Sequence, residues 1–202
     1  MTKIKFCGLS RICDIESVNE IMPEYIGFVF VSKSKRYITP DKAKQLKSLL
    51  HPSIQAVGVF VDEDINTILY LLKEEIIDII QLHGHENETY IQELKQHAKA
   101  PIIQAFRIQS KQDIQNAIQS SADYILLDSG AGTGQVFDWE LIQNVHRPYF
   151  LAGGLFSNNV KSAIQTLHPY AVDVSSGVET NGYKDKEKMV AFASAIRKDD
   201  KL

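Results

Sequence analysis

The chain has 202 residues, 44% of them hydrophobic and 23% charged, with a formal net charge of −3. That balance is ordinary for a globular protein with a real core, and the length argues for one domain, so residues 1–202 are expected to form a single unit. No block of Lys and Arg is long enough for a nucleic-acid or membrane arm, and no uncharged apolar stretch is long enough to cross a bilayer. An anionic ligand would have to find its countercharge locally, in a single Arg, a helix N-terminus or a ring of backbone amides.

The two cysteines, Cys7 and Cys13, are neither a disulfide framework nor a metal-binding count. The first residues run straight into mixed charged and apolar sequence, without the apolar core or small-residue cleavage site of a leader. A reducing cytoplasm is the expected setting, where Cys7 stays a free thiol.

Short apolar runs then follow in order at 4–7, 25–30, 56–61, 76–82, 101–106, 124–128, 149–152 and 171–175. They recur every ~20–30 residues, as eight βα units would. Most are rich in β-branched and aromatic residues and too short to be core helices. Helical patterns fill the gaps at 14–22, 41–50 (after Thr39-Pro40), 64–73, 88–99, 158–167 and 185–198. The segment 110–120 is polar and Gln-rich, so the fifth helix is expected to be short or irregular. After the sixth run, helix capping is deferred to Asp138, and Lys198-Asp199-Asp200-Lys201 reads as a solvated tail.

Alternating strands and helices without consecutive hairpin signals mean a parallel sheet, and strands apolar nearly throughout mean a sheet covered on both faces. Eight repeats favour closure. The expected fold is therefore α/β, a single (β/α)8 TIM barrel with eight parallel strands inside a ring of helices. A flavodoxin-like open sheet is the alternative, and it would leave about three strands unused.

In such a barrel, chemistry gathers at the C-terminal ends of the strands. Strand one ends in Cys7-Gly8. A free cysteine is most often a small buried hydrophobe, but a strand terminus shifts the reading toward reactivity. Period two puts Lys5 on the same side, where its ammonium would favour a Cys7 thiolate. After strand two, Lys33 and Lys35 read as solvated charge, while the planar fork of Arg36 suits a carboxylate. Strand four ends in Gln81-Leu82-His83-Gly84, with Gln81 and His83 on one face. His83 is equally suited to touching a ligand and to a structural hydrogen bond.

Strand six ends in Asp128 after an apolar run, so desolvation is expected to raise its carboxyl and suit it to general-acid work. The competing reading is a cap or loop hydrogen bond. The loop Ser129-Gly130-Ala131-Gly132-Thr133-Gly134 is by itself a weak phosphate-loop signal. Strands seven and eight run into Gly153-Gly154 and Ser175-Ser176-Gly177. Paired glycines and small polar residues in those two loops match the phosphate site of such barrels, built from bare backbone N–H groups.

Taken in order, Lys5-Phe6-Cys7-Gly8-Leu9, Ser34-Lys35-Arg36-Tyr37, Gly58-Val59-Phe60-Val61, Gln81-Leu82-His83-Gly84 and Leu126-Leu127-Asp128-Ser129 resemble the phosphoribosylanthranilate isomerase family of tryptophan biosynthesis. So do Gly132-Thr133-Gly134, Phe137-Asp138-Trp139, Leu151-Ala152-Gly153-Gly154-Leu155 and Asp173-Val174-Ser175-Ser176-Gly177-Val178-Glu179. Two departures stand in the loop after strand six: Ala131 where the family usually has Gly, and Gln135 where it often has Lys.

The resemblance implies an Amadori rearrangement of an aminoaldose to an aminoketose, with no cofactor and no metal. Asp128 would be the acid that opens the sugar ring and Cys7 the base at the adjacent carbon, which calls for a carboxyl shifted up and a thiol shifted down. Arg36 would take the anthranilate carboxylate, His83 would lie at the substrate, and Gly153, Gly154, Ser175, Ser176 and Gly177 would hold the phosphate. The expected partner is a small phosphorylated substrate, with no nucleic acid and no membrane, on a monomer or homodimer. Competing readings are another sugar-phosphate isomerase or epimerase on the same barrel, indoleglycerol-phosphate synthase (expected to carry catalytic lysines and a longer N-terminus), and a non-catalytic phosphate-ligand binding protein.

Overall fold

The structure, a computed structural model, describes residues 1–128, 142 and 145–197. Eight parallel strands close into a barrel in sequence order: β1 Lys3–Cys7, β2 Tyr25–Val29, β3 Gln55–Phe60, β4 Ile79–Leu82, β5 Ile102–Arg107, β6 Tyr124–Asp128, β7 Tyr149–Ala152 and β8 Ala171–Val174. β1 closes the ring on β8, with Lys5 paired to Asp173 and Phe6 to Val174. Around it stand α1 Ile12–Ile21, α2 Pro40–Lys47, α3 Ile65–Lys73, α4 Glu88–His97, α5 Lys111–Gln119, α6 Val160–Leu167 and α7 Lys186–Arg197. Among the described residues no helix is long and apolar enough to cross a membrane.

The helices begin where short polar side chains can satisfy their first N–H groups. Thr39 accepts from Lys42 N with Pro40 at the first helical position, Asp64 accepts from Asn66 N, and Asn87 accepts from Tyr90 N. The polar fifth helix is short but regular. Ser110 and Asp113 cap each other's backbone, and Ile114 and Ala117 supply a buried stripe that outweighs its glutamines.

Strand alternation sorts the residues into two cores. Phe6, Phe28, Phe60 and Phe192 belong to the shell between sheet and helices. Tyr25, Val57, Ile79, Ile103, Leu126 and Phe150 fill the inside of the barrel. A one-residue slip in any strand would exchange these sets, so the register is fixed on both faces.

Several element ends differ from the sequence pattern by one to three residues, and two departures have an evident cause. The run 76–82 becomes a strand only from Ile79, because Glu75 turns into the left-handed region (φ 54°) and Asp78 is spent as an acceptor for Ala56 N at 2.7 Å. Beyond β8, a 3-10 turn Ser176–Val178 leads into an antiparallel hairpin, β9 Glu179–Thr180 and β10 Tyr183–Lys184. The alternation of strands and helices does not anticipate it. The signal is Asn181-Gly182, both with positive φ (53° and 81°), the pair that a tight hairpin turn demands.

Candidate active site

Inward-facing positions at the C-terminal ends of the strands meet the loops in one pocket of about 260 Å³. All nine residues singled out in the sequence line it: Cys7, Arg36, His83, Asp128, Gly153, Gly154, Ser175, Ser176 and Gly177. Gln81 and Asp173 line it as well. The segments Ser129-Gly130-Ala131-Gly132-Thr133-Gly134 and Phe137-Asp138-Trp139, with the departures Ala131 and Gln135, lie outside the described residues, as does the tail 198–202.

Cys7 sits opposite Gly27 in the ladder. A Cβ at Gly27 would stand 2.8 Å from Cys7 Sγ, so only glycine there leaves room for the thiol. Lys5 lies beneath it, fully buried, with Nζ 3.0 Å from both carboxylate oxygens of Asp173. Lys5 and Cys7 therefore share the inner face, as period two requires.

The direction of the thiol's shift is the opposite of the sequence expectation. Burial pushes the Cys7 thiol up, and the Asp173 carboxylate adds to that. Lys5 and a second cation, Lys184, pull it down without overcoming the burial. Burial is the larger cause of the reversal, and Asp173 adds to it as a counterion on which the Lys5 ammonium already spends part of its field.

A polar chain runs from the thiol's backbone to Arg36. Ser175 Oγ donates to Cys7 O at 2.9 Å. Lys184 Nζ donates to Ser175 O (3.0 Å) and Oγ (3.2 Å) and to Glu179 Oε1 (2.6 Å). Glu179 receives the fork of Arg36, Nε at 2.6 Å and Nη2 at 2.8 Å. Burial would push the Glu179 carboxyl up, but the hydrogen bonds from Arg36 and Lys184 hold it below the usual carboxylate range. Burial likewise lowers the Lys184 ammonium. The paired edge expected of Arg36 for a ligand is thus engaged with Glu179, and a ligand carboxylate would meet the remaining Nη face.

Nothing in the strand–helix pattern assigns a role to Glu179, Lys184, Asp173 or Gly27. A signal existed for the first two: they face each other across the Asn181-Gly182 hairpin as an opposite-charge pair.

Across the pocket, His83 Nε2 lies 3.7 Å from Asp128 Oδ2, in ion-pair range but long for a hydrogen bond. Its Nδ1 is 3.0 Å from Gln81 Nε2. Asp128 ends β6 with its side chain 24% exposed, so it is partly withdrawn from water. On the third side, Gly153 and Gly154 both turn through positive φ (88° and 61°), and a Cβ at Gly154 would meet nothing within 4 Å among the described residues. That open backbone faces Ser176 and Gly177, the first residues of the 3-10 turn, whose N–H groups have no partner within it. Among the described residues no three His, Cys, Asp or Glu side chains come together as a metal site.

A closed parallel barrel whose strand ends carry a thiol, a carboxylate and a bare-amide turn defines a (β/α)8 barrel enzyme. The family model described as N-(5′-phosphoribosyl)anthranilate (PRA) isomerase matches residues 4–195. N-(5′-phosphoribosyl)anthranilate isomerase of Endomicrobium trichonymphae is 44% identical over 98% of this chain and 99% of its own. The crystal structure of phosphoribosyl anthranilate isomerase from Thermotoga maritima superposes with a TM-score of 0.89 at 34% identity, covering 98% of this chain and all of that one. A phosphoribosyl anthranilate isomerase in complex with reduced 1-(o-carboxyphenylamino)-1-deoxyribulose 5-phosphate gives a TM-score of 0.87 at 34% identity, over 98% of this chain and all of that one. The chain belongs to the N-(5′-phosphoribosyl)anthranilate isomerase family, and it is an enzyme, an isomerase of tryptophan biosynthesis.

Proposed function

We propose that this isomerase converts N-(5-phosphoribosyl)anthranilate to 1-(2-carboxyphenylamino)-1-deoxyribulose 5-phosphate, with Asp128 as acid and Cys7 as base. The observation that carries the reading is that the two groups share one pocket with a bare-amide turn on one side and Arg36 on another. Two anionic ends would hold a rod-shaped molecule with its ribose between the two reacting groups. Such positioning supplies a large share of a rate enhancement.

In the first step the Asp128 carboxyl gives its proton to the furanose ring oxygen. The bond from that oxygen to the anomeric carbon breaks, and the anilino nitrogen's lone pair closes a Schiff base. In the second step the Cys7 thiolate takes the proton from the adjacent carbon. Those electrons form a carbon–carbon double bond and return a pair to nitrogen, giving an enolamine that tautomerises to the ketone. No electron acceptor or co-reactant enters the balance.

Burial holds the Cys7 thiol up in the free enzyme, and Lys5 and Lys184 are the cations that favour its thiolate. Gly153, Gly154, Ser175, Ser176 and Gly177 would hold the phosphate and Arg36 the anthranilate carboxylate, and His83 would lie at the substrate, beside the carboxyl of Asp128. We also read residues 1–202 as one catalytic unit.

The test is turnover of freshly prepared phosphoribosylanthranilate, followed as loss of its fluorescence. The expected result is conversion by the protein alone, unchanged by a chelator. No conversion, or conversion that the chelator abolishes, would overturn the proposal.

A further inference from the structure

We propose that Gln81 is a positioning residue: one end of its amide fixes the ring of His83, and the other is reserved for a hydrogen-bond donor of the substrate. The proposal rests on the functional reading above and deepens it.

Gln81 is 1% exposed, on the inner face of β4 between Val59 of β3 and Ile103 of β5. A β-branched apolar residue would continue the packing there, so an amide at this position needs a reason. One end has a partner, His83 Nδ1 at 3.0 Å. The other, Oε1, is buried without a hydrogen-bond partner among the described residues, although Gln81 lines the pocket. Exchanging the amide oxygen and nitrogen does not remove the anomaly, because one end still faces His83 and the other still has no partner among the described residues. Leaving such a group unmet is costly, and orphan acceptors in folded proteins call for an explanation. Here the explanation is a ligand: a hydroxyl of the bound sugar, held between Cys7 and Asp128, can donate to Oε1.

The partnered end carries the second consequence. When Gln81 Nε2 donates to His83 Nδ1, that nitrogen must be unprotonated, and the neutral ring carries its proton on Nε2. Nε2 is the nitrogen that faces Asp128 Oδ2, 3.7 Å away. Drawn closer by a bound substrate, His83 becomes a donor to Oδ2. The acidic proton of Asp128 is then confined to Oδ1, so Gln81 acts on the acid through His83.

The experiment uses 15N NMR of the His83 ring in the whole enzyme, with steady-state kinetics, binding of the reduced product analogue and the melting temperature. The variants are Gln81→Met, an apolar chain of similar length, and Gln81→Glu, which can only accept. In the wild type Nδ1 should be unprotonated and Nε2 protonated. Gln81→Met should give mixed tautomers, a fall in kcat, and binding of the analogue about 10-fold weaker, the loss of one hydrogen bond. Its melting temperature should equal or exceed that of the wild type, because the orphan is gone. Gln81→Glu should move the proton to Nδ1.

A Gln81→Met enzyme that melts lower, with tautomer, kcat and analogue binding unchanged, would show Gln81 to be a packing residue and overturn the proposal. A wild type that fails to convert phosphoribosylanthranilate would strike the functional reading instead. The tautomer and melting data would then still decide the Gln81–His83 link.

Discussion

The two ends of the barrel each place a lysine among polar groups, and they use it differently. At the N-terminal end Lys3 Nζ donates to Tyr170 Oη at 2.6 Å and Tyr25 Oη at 3.3 Å, over the face of the Tyr170 ring. Tyr124 stacks on Tyr170, and Phe150 packs edge-on against both. Here the lysine is held charged by neutral hydroxyls, its ammonium shifted up by the Tyr170 bond despite burial. At the C-terminal end Lys5 answers a carboxylate and lies under a thiol, and nearby an acceptor of Gln81 has no partner among the described residues. One end is a closed account of donors and acceptors that stiffens the floor. The other keeps polarity it does not use on itself, which is what a site awaiting a ligand requires.

The largest expected break between the ends is in turnover. Cys7→Ala should lose about 10²–10⁴ in kcat, the worth of one acid–base role, while still binding the reduced product analogue. Near-normal kcat would remove Cys7 from the chemistry. The wild type sharpens the same point through pH. Because burial raises the thiol, kcat/KM should still be climbing with pH above the usual thiol range, and Lys5→Met should move that limb higher by removing a cation from beside the thiolate. A limb at or below the ordinary thiol range would contradict the electrostatics described for Cys7.

Lys5 itself joins the two roles. Lys5→Met leaves the buried Asp173 carboxylate unpaired and should cost about 3–5 kcal/mol, read from denaturant unfolding. Lys5→Met with Asp173→Leu should recover much of that, and a double variant no better than the single would mean that the pair is not the source. Arg36→Met should raise KM roughly 10- to 100-fold with little change in kcat, the loss of about 1.5–3 kcal/mol of charged hydrogen bonding. An unchanged KM would show that the pairing with Glu179 is the guanidinium's whole task.

How much of this was legible in the sequence depends on the distance over which a residue finds its partner. All eight strands answer to short apolar runs, and β6 and β7 begin and end where the runs do, because a short apolar run with polar flanks is a local property. The nine site residues could be picked out because the barrel topology sends every strand end to one rim. What local pattern could not show is pairing across the fold. Arg36 and Glu179 are 143 positions apart, and Lys5 and Asp173 are 168 apart. Without those partners a lone Lys5 predicts a lowered thiol, whereas in the folded site burial raises it and the Asp173 carboxylate adds to the rise. The hairpin that delivers Lys184 was written in Asn181-Gly182, and a strand–helix template passes over it.

The division between the ends is tested most directly by measuring melting temperature and turnover side by side in Asp128→Asn and Tyr170→Phe. Asp128→Asn should keep its melting temperature within the small range of a partly exposed substitution and lose at least 10²-fold in turnover. Tyr170→Phe, losing its bond to Lys3, should give up about 0.5–1.5 kcal/mol of stability and keep its turnover. An Asp128→Asn enzyme that turns over normally, or a Tyr170→Phe enzyme that folds as well as the wild type but has lost activity, would contradict the account.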